Sequence, residues 1–242
     1  GHPCAMLLAR TGIALLALYL VTGIEESNRG LLARDRNFHG STRVFESNTE
    51  SAERAMVVME SGDNPLGYQF IAAGKREIPM GYYGPASGVG LALRAFPRPT
   101  ARHFSVGVIG LGAGMVVAHA KPNEDWSFYE VNPTVAQFAE RYFSYLDDAR
   151  TRGAHLDNVL VGDGRAVLER QFARGGQMEF DVLIVDAFLE GPVPVQLLTD
   201  EAFKVYWRAL SPNGVLAINV SNSRIDLGPV LHKLAATNGK AA

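Results

Sequence analysis

The pattern of hydrophobic and polar residues changes near the middle of the chain. Residues 41–46, 54–59 and 68–72 are short segments rich in β-branched and aromatic residues, and the sequence Gly62-Asp63-Asn64-Pro65 supplies a turn between the last two. These segments predict a small antiparallel sheet. A loop at 81–85 and a helix at 87–95 are expected to follow it.

Beyond residue 100 the segments are longer, and apolar runs alternate with amphipathic ones. Strands are predicted at 104–109, 126–131, 159–161, 180–185 and 215–220, and helices at 133–143, 165–173, 200–210 and 227–236. This alternation favours an α/β fold with a doubly wound, mostly parallel sheet. We therefore divide the chain into an apolar segment at 1–36, an antiparallel β module at 37–96 and a nucleoside-binding α/β domain at 97–242.

A glycine-rich turn follows the first strand of the α/β domain. Gly110, Gly112 and Gly114 succeed a buried β-branched run, and a helix over 115–120 would direct its amide groups at the turn. The pattern is G-x-G-x-G, because Met115 stands where the dinucleotide motif G-x-G-x-x-G needs glycine. The turn predicts close approach of the backbone to a nucleotide, and a merely tight turn is the alternative.

Three acidic residues follow three successive predicted strands. Glu130, Asp163 and Asp186 therefore meet at the carboxyl edge of the sheet, where open α/β sheets bind ligands. A carboxylate such as that of Glu130 can accept hydrogen bonds from both hydroxyls of a ribose. The alternatives are a solvated glutamate at a strand end and, for Asp186, a capping role.

Composition and charge exclude some classes of function. The 242 residues carry a net charge of −2, and no basic run is interleaved with aromatic residues, so we predict no nucleic-acid partner. Cys4 is the single cysteine, which excludes an internal disulfide and a cysteine-based zinc site. The six histidines are dispersed along the sequence, and we predict no metal.

The amino-terminal residues 4–24 are apolar except for Arg10 and two threonines. Three alternatives are open: the tail of a transmembrane helix, a helix docked on the domain or on a partner subunit, and the remnant of a signal peptide. The arginines that follow favour a cytoplasmic flank. We expect a protein of the bacterial inner membrane with this domain in the cytoplasm, or otherwise a cytoplasmic protein.

Taken in order, the motifs of the chain resemble those of the spermidine synthase (polyamine aminopropyltransferase) family. They are F-H-G-S-x-R-V at 38–44, G-Y-Q at 67–69, Y-Y-G-P at 82–85, G-L-G-A-G at 110–114, Y-E-V-N-P at 129–133, G-D-G at 162–164, D-A-F at 186–188, L-L-T-x-E-A-F at 197–203 and N-V-S-N at 219–222. The resemblance runs from about Arg36 to Leu231. It is greatest to a bacterial branch in which this domain follows a membrane-spanning region.

The resemblance implies a methyltransferase-like Rossmann fold and decarboxylated S-adenosylmethionine as co-substrate, with no other cofactor. It implies that Asp186 is the catalytic aspartate and that Tyr82 assists it. Glu130 would bind the ribose, Asp163 the adenine amino group, and Gln69 the donor near its sulfonium. The remaining predicted binding residues are Gly110, Gly112, Ala113 and Gly164. The family is often dimeric, so we expect a homodimer formed through the β module.

Three acidic residues of the family are absent here. Ala113 stands in the glycine turn where the family has an aspartate for the aminopropyl amine, and Leu189 and Gly84 replace acids near the acceptor. A diamine is a dication whose lost hydration carboxylates must replace, so putrescine is a doubtful acceptor. The loss at 113 also removes repulsion against a carboxylate, so the donor could be intact S-adenosylmethionine.

Three functions follow as alternatives. The first is an aminopropyltransferase, and the second is a lyase or cyclase that acts on S-adenosylmethionine alone. The third is a non-catalytic nucleoside sensor attached to a membrane protein; an ordinary methyltransferase fits the fold but not the β module. Sheets of this type usually have two further strands, so we expect a piece of a longer protein or a partner that completes the sheet.

Overall fold

The computed structural model describes residues 2–62, 64–187, 194–220 and 225–241. After a helix, α1 (His2–Ser27), comes a four-stranded antiparallel sheet with strand order β1-β2-β3-β4. Its strands are β1 (Leu31–Asn37), β2 (Gly40–Ser47), β3 (Met56–Ser61) and β4 (Asn64–Phe70). The predicted antiparallel module is confirmed. The predicted turn at 62–65 is too long, because Asn64 and Pro65 already pair with β3; Asp63 lies outside the described residues.

The second half forms a parallel sheet flanked by helices. Its elements are α2 (Gly88–Ala95), β5 (Phe104–Ile109), β6 (Glu124–Glu130), α3 (Pro133–Tyr142), α4 (Tyr145–Thr151), β7 (His155–Leu156), β8 (Leu160–Val161), α5 (Gly164–Ala173), β9 (Phe180–Val185), α6 (Asp200–Ala209), β10 (Leu210–Ile218) and α7 (Gly228–Thr237). The strand order is β10-β9-β5-β6-β7, and β8 pairs with β6 beside β7. All these pairings are parallel, which confirms the predicted doubly wound sheet.

Alternation along the central strands builds a hydrophobic core on each face of the parallel sheet. Val106, Val108 and Ile184 belong to one cluster, and Leu183 and Val185 belong to the other. β9 is buried at every position, including Asp181, whose carboxylate accepts from Arg102. Because both faces are covered, polar chemistry is confined to the strand ends and the loops that follow them.

Two local predictions differ from the structure. The helix predicted at 115–120 is a five-residue 3-10 helix at Met115–His119, and Gly114 before it is left-handed at φ 81°. The last predicted strand, at 215–220, begins earlier, at Leu210, with an irregularity before Val215.

The apolar amino-terminal segment is helical, and its described side chains do not pack on the rest of the chain. Ile13, Leu16 and Tyr19 of α1 are each more than half exposed. The alternative of a helix docked on its own domain therefore does not fit these residues. Among the residues that the structure describes, no helix is both long enough and apolar enough to cross a membrane.

Candidate active site

A cavity of about 240 Å³ opens at the carboxyl edge of the parallel sheet. It lies where β5 has β6 on one side and β9 on the other, the point at which the strand order reverses. The residues from the predicted site that line it are Tyr82, Gly110, Gly112, Glu130, Asp163, Gly164 and Asp186. The structure thus brings together seven of the nine predicted residues.

The glycines of the turn after β5 are required by its geometry. Gly110 has φ 92°, and a Cβ there would lie 2.2 Å from the carbonyl oxygen of Asp186. Gly112 has φ 53°, and its Cβ would lie 2.4 Å from the carbonyl oxygen of Leu66. Both conformations disfavour L side chains, and neither contact leaves room for a methyl group. The turn is therefore pressed between β4 and the end of β9.

Ala113 occupies the same turn but does not line the cavity. Its side chain is buried against β4, where a Cβ on Gly67 would lie 2.6 Å from the Ala113 Cβ. Its amide donates to the carbonyl oxygen of Leu66 at 3.2 Å. Position 113 is thus a packing contact between the two modules.

Glu130 is a buried carboxylate that the backbone holds in place. One oxygen accepts from the amide of Leu111 at 2.8 Å and the other from the amide of Asn132 at 2.9 Å. Burial raises the pKa of Glu130, and these backbone hydrogen bonds oppose that rise. The carboxylate is thus fixed at the wall of the cavity, and a carboxylate in that position can accept hydrogen bonds from a diol.

Asn132 lines the cavity and was not selected by the sequence analysis. Its side chain accepts from the amide of Thr134 at 3.0 Å, which caps α3, and from Asn37 Nδ2 at 2.7 Å. The residue therefore joins the β1–β2 hairpin to the loop that orients Glu130. The sequence did hold one signal for this residue, because an asparagine directly before a proline such as Pro133 is typical of a helix N-cap.

Asp186 lies at the end of β9 and faces the cavity. Its Oδ1 accepts from Asn219 Nδ2 at 2.6 Å, across from the end of β10. Burial raises the pKa of Asp186 from 3.8 to about 6, and the hydrogen bond from Asn219 opposes that shift. The group can therefore gain and lose a proton near neutral pH.

Tyr82 reaches the cavity from a 3-10 turn at Gly81–Tyr83, after the β module. Burial of its hydroxyl and the neighbouring Asp186 carboxylate raise the pKa of Tyr82 above its usual value. The phenol therefore stays protonated at neutral pH. It can donate a hydrogen bond beside a carboxylate that accepts one.

Asp163 has two tasks at the start of α5. Its Oδ1 accepts from the amide of Ala166 at 2.9 Å, which caps the helix, and the residue also lines the cavity. Gly164 follows it against β5, where a Cβ would lie 2.6 Å from Ile109 Cγ2. The cap fixes the direction of the Asp163 carboxylate.

Gln69 is not among the cavity residues that the structure describes. Its amide nitrogen donates to the carbonyl oxygen of Arg76 and to Ser144 Oγ, each at 2.9 Å. Its oxygen accepts from the amide of Ser144, also at 2.9 Å. The side chain therefore ties β4 to the start of α4. Leu189 lies outside the described residues.

The β1–β2 hairpin adds a cavity residue that sequence reasoning did not select. His39 lines the cavity, and its amide donates to Asn37 Oδ1 at 2.8 Å. Phe38 beside it is 98% exposed. The only signal was their place in the F-H-G motif.

Solved structures share the fold of this chain. A probable spermidine synthase from Corynebacterium glutamicum superposes with a TM-score of 0.54 at 15% identity, over 78% of this chain and 63% of that one. The fold is a methyltransferase-like Rossmann fold. The small antiparallel sheet precedes the Rossmann domain in the chain, as expected.

Curated relatives of this Rossmann protein are transferases. A polyamine aminopropyltransferase of Vibrio vulnificus is 34% identical over 115 residues, which are 46% of this chain and 36% of that protein. An N-terminal histidine N-methyltransferase of Emericella nidulans is 27% identical over 192 residues, 74% of this chain and 32% of that protein. The chain thus spans about a third of the length of these relatives. No family model matches it.

Proposed function

We propose that this chain is a transferase that uses a sulfonium nucleoside derived from S-adenosylmethionine. It would transfer an aminopropyl-type group to an amine and release methylthioadenosine. The observation that carries the proposal is the meeting of Glu130, Asp163 and Asp186 in one cavity beside the glycine turn. The similarity to the Vibrio vulnificus aminopropyltransferase supports it.

Two of the carboxylates would bind the nucleoside. Glu130, held by two backbone amides, would accept from the ribose hydroxyls, and Asp163 would accept from the adenine amino group. Gly110 and Gly112 would let the backbone approach the nucleoside without a side chain between them. No cofactor other than the co-substrate is proposed.

Asp186 would serve as the base of the transfer. The amine nitrogen attacks the carbon next to the sulfonium, the carbon–sulfur bond breaks, and the electron pair leaves on the sulfur of methylthioadenosine. The proton lost by the amine goes to the Asp186 carboxylate, whose pKa of about 6 suits a base at neutral pH. Tyr82 would orient the amine, since its neutral hydroxyl lines the same cavity.

A second candidate is a reaction of intact S-adenosylmethionine without a diamine. It is favoured by the side chain at 113, which is an alanine buried against β4 and does not offer a carboxylate to an aminopropyl amine. Among the described residues, Glu130, Asp163 and Asp186 are the cavity's carboxylates. With two assigned to the nucleoside, only Asp186 is left for a dicationic acceptor.

Product analysis by mass spectrometry tests these proposals. The protein is incubated with S-adenosylmethionine or its decarboxylated form, each with and without putrescine and spermidine. Methylthioadenosine together with an aminopropylated amine supports the proposed transfer. Methylthioadenosine from intact S-adenosylmethionine alone supports the lyase or cyclase, and adenosylhomocysteine indicates methyl transfer. Nucleoside binding without turnover contradicts the enzymatic proposals and favours a sensor.

A further inference from the structure

Three side chains with metal-binding atoms meet at the amino-terminal edge of the parallel sheet. His103 precedes β5, Asp125 lies in β6, and His155 begins β7. In the sheet register Asp125 pairs with His155 on one side and with Ser105 on the other. Because side chains alternate along a strand, His103, two residues before Ser105, lies on the same face as Ser105. The three side chains therefore emerge together on one face.

Their ligand atoms converge on a single carboxylate oxygen. Nδ1 of His103 lies 3.1 Å and Nδ1 of His155 lies 2.9 Å from Asp125 Oδ1. All three ligand atoms lie within 4.8 Å of one another. The two imidazole rings are 5.1 Å apart between centroids. Each side chain is about half exposed, at 48%, 49% and 56%, so an ion can enter from solvent.

We propose that His103, Asp125 and His155 bind a divalent transition-metal ion, with zinc the first to test. Zinc binds imidazole nitrogen and carboxylate oxygen at about 2.0–2.2 Å, and two histidines with one carboxylate are an established set of protein ligands for it. In a tetrahedron those bonds place the donor atoms roughly 3.3–3.6 Å apart. The observed separations from Asp125 Oδ1, 3.1 and 2.9 Å, are within about half an ångström of the lower end of that range. Water from the open side completes the coordination.

The site is remote from the cavity, so its role differs from catalysis. The cavity lies at the carboxyl ends of the strands, and β5 alone separates the two edges by about 20 Å at the usual rise per residue. A metal here would join the two-residue strand β7 to β6 and β5. We therefore assign it a structural role at the sheet edge, independent of the proposed reaction.

The test uses the full chain, free of any affinity tag and of metal. Zinc binding is measured by equilibrium dialysis with elemental analysis, thermal unfolding is followed with and without zinc, and cobalt(II) serves as a coloured substitute. We expect one zinc per chain and an increase in melting temperature of roughly 5–10 °C at a hundredfold excess over Kd. Bound cobalt is expected to give the absorption of a tetrahedral nitrogen–oxygen site.

Variants separate this site from zinc bound elsewhere. The double variant His103→Gln/His155→Gln should lower zinc affinity by at least about tenfold, and so should the isosteric Asp125→Asn on its own. Loss of a residue that only hydrogen-bonds to a ligand can already lower metal affinity by that much. His232→Gln is the matched control, because His232 is exposed on α7 and belongs to no such cluster. Affinity that is unchanged in both cluster variants, or no binding by the wild-type chain, would overturn the proposal. If the double variant does not fold, the Asp125→Asn result decides.

Discussion

At the scale of single residues, buried Glu130 and partly buried Asp186 are held in different ways. Glu130 accepts from two backbone amides, which fix both of its oxygens. Asp186 accepts from one side-chain amide, that of Asn219, and burial raises its pKa to about 6. A carboxylate held at both oxygens is oriented for binding, whereas a carboxyl group with a pKa near neutrality can exchange a proton. The first carboxylate therefore suits binding and the second suits proton transfer.

Replacement of Asp186 by asparagine is expected to remove the base of the reaction. Turnover should fall by roughly 10²–10⁴-fold, the usual contribution of a positioned base. In the wild-type protein, kcat/KM should rise with pH through about 6, as Asp186 loses its proton. Steady-state rates between pH 5 and 8 measure both effects, with Asp157→Asn as a control outside the cavity. A wild-type rate that does not change across this range would contradict the assignment.

The same substitution should make the protein more stable at neutral pH. The pKa of Asp186 is 3.8 unfolded and about 6 folded, so the native state holds its proton more tightly, and stability falls as pH rises between these values. Above pH 6 the buried charge costs at most about 3 kcal/mol. Asp186→Asn should thus raise the free energy of unfolding at pH 8 and leave it unchanged below pH 4. Urea unfolding at the two pH values measures this, and equal effects at both would contradict it.

Glu130→Gln tests the binding role. The glutamine amide can accept through only one atom, so either the Leu111 or the Asn132 amide loses its acceptor and one ribose bond is lost. A hydrogen bond to a charged group contributes about 1.5–3 kcal/mol, so affinity for methylthioadenosine should fall by roughly 10- to 150-fold. Calorimetric titration gives the dissociation constants, with Glu140→Gln on the exposed side of α3 as the control. An affinity equal to wild type would exclude Glu130 from the site.

Sequence reasoning located the carboxylates because strand ends are local features. Glu130, Asp163 and Asp186 each follow an apolar run, and parallel strands bring such ends to one edge. Asn132 and His39 escaped because no local pattern shows that the β1–β2 hairpin docks beside the end of β6. Gln69 was assigned by family resemblance to the donor, yet its amide bonds to Ser144 and Arg76. Such pairings depend on packing that no local pattern encodes.

At the scale of elements, the antiparallel strand β4 forms the back of the glycine turn. The Leu66 carbonyl accepts from the amide of Ala113, and Gly67 lies directly against the Ala113 side chain. A strand of one module thus sets the shape of the binding turn in the other. Changes in β4 should therefore affect both stability and nucleoside binding.

Gly67→Ala should damage the site from outside the cavity. The new Cβ would lie 2.6 Å from that of Ala113, at a φ of 149°, so the turn must move. Overpacking of this kind costs about 1–3 kcal/mol, and methylthioadenosine affinity should fall with it. Gly62→Ala is the matched control, because φ is also positive there, at 59°, but no atom lies within 4 Å. Thermal unfolding and titration of both variants are the measurements; equal binding by the two would contradict the coupling.

Some elements were predictable and others were not. β9 was clear because five of its six residues are apolar, with only Asp181 charged. β1 escaped because Arg34, Asp35 and Arg36 interrupt its apolar pattern, as is common on edge strands. β7 has only two residues, too few for any periodicity. Edge strands are thus the part of this fold that hydrophobic pattern reveals least.

At the scale of the whole molecule, the two modules are joined by polar contacts around the cavity. Asn37 donates to Asn132 and to Thr134, which in turn donates to Asp35. Further along, Gln69 binds Ser144. The cavity takes residues from both sides of this junction. Nucleoside binding and docking of the two modules should therefore be linked. The predicted homodimer stays a prediction.

Hydrogen exchange provides the measurement of this linkage. Saturation with methylthioadenosine should slow amide exchange in the glycine turn at 110–114 and also in the β1–β2 hairpin, since Asn132 connects that hairpin to Glu130. The exchange of α7, which does not line the cavity, should not change. Mass spectrometry of peptic fragments resolves the three regions. Protection confined to the Rossmann domain would show that the hairpin does not sense the ligand.

The bond between Asn37 and Asn132 has a consequence for how the chain folds. The two residues are 95 positions apart, so their meeting closes a long loop, and its entropic cost must be met before the bond contributes. The hairpin can pair locally at once, whereas its attachment waits until the Rossmann strands are in place. A ribosome must therefore complete most of the Rossmann domain before the proposed ribose site can form. If the cavity binds a nucleoside as proposed, binding can begin only late in folding, in chains whose two modules have already docked.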